Sequence, residues 1–186
     1  KRQLKETEER RRFAIESGEL GTWDLDIGTG MLKCDKRCQD LYGLSTGELV
    51  SHGDSLKHIH GDDRNAVENA IKNSLLQGQL GGKYDAEFRT VSKDGKNVRW
   101  IRSKGQAYFD ERKKPYRFSG TVMDITVQKQ LQQQKDNFLG IASHELKTPV
   151  TSIKAYAQVL ESIFRNKGDI KAAGMLSKLN AQVNRL

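Results

Sequence analysis

The spacing of apolar residues divides the chain into three parts. Residues 1–20 are dense in charge and helix formers, and their widely spaced apolar side chains predict a helix. Residues 21–127 alternate short strand-like and helix-like patterns. After Thr126 the strand patterns stop, and apolar residues recur at helical spacing to the end of the chain.

Alternation of apolar and polar residues predicts five strands in the middle part. "TWDLDI" places Trp23, Leu25 and Ile27 on one face, and "MLKCD" follows after a Gly-Thr-Gly turn. "KYDAEFRTV" and "KNVRWIRSKGQAYF" flank an Asp-Gly turn at 94–95, and "YRFSGTVMDIT" gives the last strand. The order predicts an α+β fold, an antiparallel five-stranded sheet with short helices on one face.

Helices are predicted between the second and third strands. "KRCQDLYGL" indicates a short helical turn, and Ser45 with Glu48 has the spacing of a capping box. "GDDRNAVENAIKNSLLQG" is the clearest helix, with Asp62 or Asp63 as its cap and Gly78 as its stop. Its predicted buried face consists of Val67, Ala70, Ile71, Ser74 and Leu75.

The last part predicts two helices joined by a short turn. Apolar residues of the first helix are Leu131, Phe138, Ile141, Ala142, Ile153, Ala157, Leu160 and Phe164. "NKGD" interrupts the pattern, and Met175, Leu176, Leu179 and Val183 continue it in a second helix. Such a helical hairpin is too thin to bury a core alone, so we expect it to pair with a second copy in a dimeric four-helix bundle.

A histidine lies off the apolar stripe of the first helix. With about 100° per residue and Phe138 at zero, five apolar residues lie within about 60° of it: Leu131, Ala142, Ile153, Tyr156 and Leu160. His144 lies roughly on the opposite side and points into solvent. Thr148 follows one turn later on the same face, and Glu145 is the adjacent carboxylate. Pro149 cannot donate a hydrogen bond to the carbonyl of Glu145, so a bend is predicted there. Position alone does not distinguish a reactive histidine from a solvated one.

Composition narrows the functional classes. The net charge is +8, but the basic residues are scattered among acidic ones, so nucleic-acid binding is not expected. No apolar run approaches the roughly 20 residues of a membrane span. The two cysteines are too few for a disulfide framework, which favours a reducing, cytoplasmic setting. The chain does not begin with Met, and we expect a piece of a longer protein, whose own membrane anchoring stays open.

No metal site is expected. Cys34 and Cys38 lie four residues apart, and His58 and His60 form a His-x-His pair, but a metal site needs ligands that converge in space. Neither pair by its spacing alone shows such convergence. No glycine-rich phosphate loop is recognisable either, so any nucleotide would be held outside this sequence.

Two stretches resemble known families. "FLGIASHELKTPVTSI" at 138–153 resembles the phosphoacceptor region of the dimerisation and histidine-phosphotransfer domain in sensor histidine kinases. "GTWDLDIGTG", "HGDDR", "YDAEFR", "DGKNVRWI" and "GTVMDIT" resemble PAS sensor domains. The resemblances imply a linker helix at 1–12, a PAS domain at 13–127, and a signalling coiled-coil helix with the phosphoacceptor hairpin at 128–186.

The histidine kinase resemblance implies roles for four residues. His144 would accept the γ-phosphoryl group of ATP, Glu145 would act as its general base, and Thr148 would position water for dephosphorylation. Pro149 would be the helix bend. Implied partners are a second copy of the chain, the ATP- and magnesium-binding catalytic domain, and the receiver domain of a response regulator.

The PAS resemblance implies a ligand pocket of unknown content. Candidate lining residues are Trp23, Tyr84, Phe88, Trp100, Phe118 and Val122. The flavin-adduct cysteine motif of photosensory domains is not recognisable, haem on a histidine stays an alternative, and a PAS domain without cofactor is another. The alternative function is a PAS ligand-binding or dimerisation module with a purely structural helical tail.

Overall fold

The computed structural model describes residues 2–44, 50–76, 82–92 and 95–183. The chain forms two compact units, Lys1–Lys129 and Gln130–Leu186. The helices are α1 Arg2–Ser17, α2 Lys36–Tyr42, α3 His52–Lys57, α4 Gly61–Leu75, α5 Thr126–Asn166 and α6 Ile170–Val183. The strands are β1 Gly21–Asp26, β2 Met31–Cys34, β3 Val50–Ser51, β4 Lys83–Val91, β5 Val98–Phe109 and β6 Pro115–Asp124.

The first unit is built on an antiparallel sheet with the strand order β3-β2-β1-β6-β5-β4. The first long strand and the last one pair at its centre, where Leu25 lies opposite Phe118. The α+β prediction and its five strands are confirmed. The sixth strand, β3, has only two residues, too few for a period-2 pattern to reveal it.

Aromatic side chains form the centre of the core between the sheet and helices α2 and α4. Trp23 meets Phe118 edge-on with ring centroids 4.8 Å apart, and Tyr84 lies 5.5 Å from Phe118 and 6.2 Å from Trp23. These T-shaped contacts add to the free energy of burying the rings. The rest of the buried core cluster is Leu25, Leu32, Cys38, Leu41, Ile59, Val67, Ile71, Phe88, Ile101, Ala107 and Val122.

The indole of Trp23 lies directly over two glycines on neighbouring strands. Gly105 and Gly120 are paired across β5 and β6. A Cβ on Gly120 would come within 1.9 Å of the Lys104 carbonyl oxygen and 2.6 Å of the Trp23 ring. A Cβ on Gly105 would meet the ring at 2.5 Å. Only hydrogen fits at both positions, so the glycine pair lets the ring lie flat against the sheet.

Helix α4 confirms its predicted buried face but begins differently from the prediction. Val67, Ile71 and Ser74 are buried, and the Ser74 hydroxyl donates to the carbonyls of Ala70 and Lys83. The N-cap is His60, whose Nδ1 accepts from the amide of Asp62.

The prediction that Asp62 or Asp63 caps α4 is therefore wrong. The helix begins at Gly61, so both residues lie in its first turn. Their carboxylates accept hydrogen bonds from Arg89 instead. The predicted capping box of Ser45 and Glu48 and the stop at Gly78 lie outside the described residues.

The second unit is the predicted helical hairpin. Helix α5 continues as α-helix through Pro149 to Asn166, and Gly168, with φ of 81°, makes the turn before α6. Ala157 and Ala173 are buried where the two helices meet. The Asn180 amide nitrogen donates to Glu161 across the hairpin at 3.1 Å.

Replacing Gly120 by alanine should destabilise the first unit by about 1–3 kcal/mol or more, because the new methyl group overlaps backbone and indole atoms. Gly61→Ala is the matched control, since no atom lies within 4 Å of the added Cβ. Urea unfolding followed by tryptophan fluorescence measures the difference, because both tryptophans, Trp23 and Trp100, belong to this unit. Equal unfolding midpoints for the two variants would contradict the packing described here.

Candidate functional site

His144 projects from the middle of α5 into solvent. Its side chain is 81% exposed, and that of Glu145 is 78% exposed. The nearest approach between them joins His144 Nδ1 and Glu145 Oε1 at 3.8 Å, within ion-pair range but longer than a hydrogen bond. Nδ1 is thus the ring nitrogen that faces the Glu145 carboxylate.

The second turn after His144 contains two hydroxyl groups bonded back to the helix. Thr151 Oγ1 donates to the Lys147 carbonyl at 2.7 Å, and Ser152 Oγ donates to the Thr148 carbonyl at 3.2 Å. Bonds of this kind loosen or bend a helix. They follow directly on Pro149, which has no amide hydrogen. Thr148 itself is exposed one turn beyond His144.

The core of the first unit encloses a cavity of about 40 Å³. Three predicted lining residues, Trp23, Tyr84 and Phe118, do line it. Phe88 and Val122 are fully buried nearby without lining it. Trp100 faces away from the cavity, because the inward positions of β5 are Ile101 and Ser103. Trp100 therefore does not line this cavity.

Sequence reasoning missed the polar lining of this cavity. Tyr42, Ser103 and His52 all border it. Burial raises the pKa of Tyr42 and of Tyr84, and the Ser103 hydroxyl, which faces both phenols, opposes that rise. Burial also lowers the pKa of His52. The inward alternation of β5 was the available signal for Ser103.

The cavity does not fit a haem or a flavin. Pockets for ligands of drug or cofactor size occupy roughly 300–1,000 Å³, whereas this one has about 40 Å³. A site for one water needs about 10–15 Å³ on the same kind of measure. The residues present therefore suit a few waters or a very small polar molecule among the hydroxyls of Tyr42, Tyr84 and Ser103.

Trp100 has a different place, at the point where the sheet leads into α5. Two cations lie over its ring, with the Arg89 guanidinium carbon 5.5 Å and Lys129 Nζ 5.0 Å from the centroid. Lys129 also pairs with Glu87 at 2.7 Å. The Trp100 amide donates to Thr126 Oγ1 at 3.0 Å. These contacts fasten the first turn of α5 to strands β4 and β5.

Arg89 extends the same cluster to α4. It donates to both carboxylate oxygens of Asp63, and its backbone amide donates to Asp63 as well. These hydrogen bonds lower the pKa of Asp63. The cluster thus joins α4, the sheet and the start of α5 through charged side chains.

Among residues 2–44, 50–76, 82–92 and 95–183, no group of three or more His, Cys, Asp or Glu is placed to hold a metal ion. His60 serves as the α4 cap, and Cys34 and Cys38 contact each other. In the same part of the chain, no helix is long and apolar enough to cross a membrane.

Comparison with protein families agrees with both units. Residues 31–122 match the PAS fold, and residues 134–186 match the His Kinase A (phospho-acceptor) domain. The fold and the exposed histidine thus define a PAS domain followed by a phosphoacceptor hairpin. The chain belongs to the sensor histidine kinases, with a PAS domain followed by a phosphoacceptor domain.

Two curated relatives are similar to much of this chain. The chain is 32% identical over 121 residues to the sensor protein FixL of Bradyrhizobium diazoefficiens, covering 65% of this chain and 23% of that protein. It is 23% identical over 165 residues to a blue-light-activated histidine kinase of Brucella anthropi, covering 89% of this chain and 32% of that protein. The chain therefore spans a third or less of these relatives.

A solved structure of a sensory box histidine kinase/response regulator from Burkholderia thailandensis is also similar. It is 30% identical, with a TM-score of 0.57, and the match covers 74% of this chain and 98% of that one.

Replacing Thr126 by valine should loosen the start of α5, because the Trp100 amide loses its acceptor. A hydrogen bond of this kind contributes about 1 kcal/mol, so exchange of the Trp100 amide should accelerate about 5-fold. Hydrogen exchange with mass spectrometry measures it. Thr151→Val removes a comparable hydroxyl from the far part of α5 and should leave this amide unchanged. Equal exchange in both variants would disprove the fastening.

Proposed function

We propose that His144 accepts a phosphoryl group from ATP and passes it to an aspartate of a response-regulator receiver domain. The observation that carries this proposal is the ring itself, 81% exposed beside Glu145 on the hairpin of a phosphoacceptor domain. A phosphoacceptor that contacts a kinase domain and then a receiver domain must be exposed to solvent. The His144 ring meets this requirement.

The chemistry follows from the positions of the two ring nitrogens. In its neutral form an imidazole carries one unprotonated ring nitrogen, and that nitrogen is the nucleophile. Nε2 attacks the γ-phosphorus, a P–N bond forms, and the bond to ADP breaks. Glu145, near Nδ1, accepts the proton as the ring becomes positively charged. The P–N bond is labile, which suits onward transfer.

Other residues in the two turns after His144 have proposed supporting roles. Thr148, exposed one turn beyond the ring, positions a water for the reverse, dephosphorylating reaction. Pro149 and the back-bonded Thr151 and Ser152 make this turn easier to bend than the rest of α5. ATP and magnesium belong to a separate catalytic domain, and we place the reaction in the cytoplasm, where ATP is available.

We also propose that the hairpin pairs with a second copy of the chain. The apolar stripe of α5 is exposed in a single chain, with Phe138 68%, Ile153 50% and Tyr156 72% accessible. An exposed apolar patch of this length marks an interaction surface. Pairing two hairpins into a four-helix bundle would cover the stripe and leave His144 outside.

Phosphorylation of the chain is the first test. Incubation with a histidine kinase catalytic domain and γ-labelled ATP should give an acid-labile, alkali-stable label, and His144→Ala should remove it. Phosphoramidate serves as a second donor that needs no domain recognition. Glu145→Gln keeps the size of the side chain and should slow labelling about 100-fold, because general-base catalysis contributes about 10²-fold or more.

The control for labelling is His60→Ala, since His60 has a structural place as the α4 cap. Label that persists in His144→Ala with both donors would overturn the proposal. It would favour the alternative of a sensor module with a structural tail.

Self-association provides the second test. Ile153→Lys should raise the dimer dissociation constant at least about 100-fold, because each protomer loses the burial of an apolar side chain. Thr151→Lys adds the same charge to the outer face and should change the dimer dissociation constant less than about 3-fold. Sedimentation equilibrium measures both constants. A monomeric unsubstituted chain at high concentration, or equal effects of the two lysines, would reject the proposed bundle.

A further inference from the structure

The two cysteines of the chain face each other at the point where β2 leads into α2. Cys38 Sγ lies 2.9 Å from Cys34 Sγ and hydrogen-bonds to it. Cys34 is partly exposed, whereas Cys38 is 0% exposed. A disulfide S–S bond measures about 2.0 Å, so the sulfurs need to approach by only about 0.9 Å to bond.

The backbone around both cysteines is held in place by side chains. Asp35 Oδ1 accepts from the Cys38 amide at 2.8 Å, and Asp35 Oδ2 accepts from the amide and the hydroxyl of Thr22 at 2.8 and 2.6 Å. Gln39 Nε2 donates to the Cys34 carbonyl at 3.0 Å. The sulfurs are therefore kept together by contacts that do not involve sulfur.

We propose that Cys34 and Cys38 form a redox site, a dithiol that oxidises reversibly to an intrachain disulfide. The oxidant is a peroxide. The Cys34 sulfur attacks one peroxide oxygen, the O–O bond breaks, and a sulfenic acid and water form. The Cys38 sulfur then attacks the Cys34 sulfur, the S–O bond breaks, and a second water leaves. Two thiols and one hydrogen peroxide thus give one disulfide and two waters. A low-molecular-weight thiol reverses the reaction by exchange.

Accessibility decides the order of the two steps. Cys34 is the sulfur that a peroxide can reach, and buried Cys38 is the resolving thiol. The hydrogen bond to Cys34, with burial, raises the pKa of Cys38, so in the reduced pair Cys38 is a thiol rather than a thiolate. Disulfides in reducing compartments are usually transient and redox-sensing. A closely spaced pair with one partly exposed and one buried sulfur suits such a role.

The location connects this pair to the sheet. Gly21, the first residue of β1, lies so close to Cys38 that a Cβ there would meet the Cys38 amide nitrogen at 2.6 Å. β1 pairs with β6, the strand that leads into α5. A displacement of Cys38 on oxidation therefore acts directly on the central strand pair.

The test uses the full chain, in which every cysteine signal comes from this pair. The chain is titrated with hydrogen peroxide, blocked with an alkylating reagent and digested with trypsin without reduction. Cleavage after Lys36 and Arg37 separates the cysteines, so the disulfide appears as two cross-linked peptides. We expect two thiols lost per peroxide consumed and full recovery with dithiothreitol. Mixing isotopically light and heavy chains distinguishes intrachain from interchain bonds.

Single substitutions complete the test. Cys34→Ser should slow peroxide consumption at least 10-fold, because the remaining thiol is buried. Cys38→Ser should yield a persistent sulfenic acid, trapped with dimedone, in place of the disulfide. Circular dichroism confirms that each variant is folded, and the result on the unsubstituted chain stands without them. Mixed light–heavy cross-links, over-oxidised Cys34, or thiols that survive excess peroxide would each overturn the proposal.

Discussion

The helical period of α5 is the constraint on which the phosphoacceptor arrangement depends. At about 100° per residue, a stripe that contains Phe138, Ile153 and Tyr156 leaves His144 on another side of the helix. The stripe is apolar and exposed in one chain, whereas the histidine and its neighbouring glutamate are charged or polar and more exposed still. A partner that covers the apolar stripe therefore does not bury His144. In the proposed function, a single 41-residue helix in this way serves both assembly and phosphoryl transfer.

The interior of the first unit is tightly packed, and side-chain contacts hold the start of α5 against the sheet. Trp23 occupies the space that the paired glycines Gly105 and Gly120 leave, and the remaining cavity of about 40 Å³ is bordered by phenol and serine hydroxyls. On the other side of β5, two cations lie over the ring of Trp100 at the start of α5. Because β5 carries both Ser103 inward and Trp100 outward, a shift of this strand would reach the cavity and the helix together.

Regular patterns predicted most of the fold and the position of the histidine. The alternation in β4 and β5, the buried face of α4 and the break at Gly168 all came from periodicity over many residues. Elements too short to show a repeating pattern were not predicted. Strand β3 has two residues and helix α3 six, and the His60 cap depends on an imidazole acting where Asp is the commoner choice. The polar cavity lining and the contact between Cys34 and Cys38 depend on tertiary packing, which spacing alone does not reveal.

Hydroxyl-radical footprinting of the unsubstituted chain at high concentration, read by mass spectrometry, tests the central claim most directly. His144, Phe138 and Tyr156 all react with the radical, so their rates can be compared after correction for intrinsic reactivity. The exposed-imidazole arrangement predicts that His144 reacts like a free side chain while Phe138 and Tyr156 are protected. Protection of His144 equal to that of Phe138, or full reactivity of Phe138 and Tyr156, would contradict it.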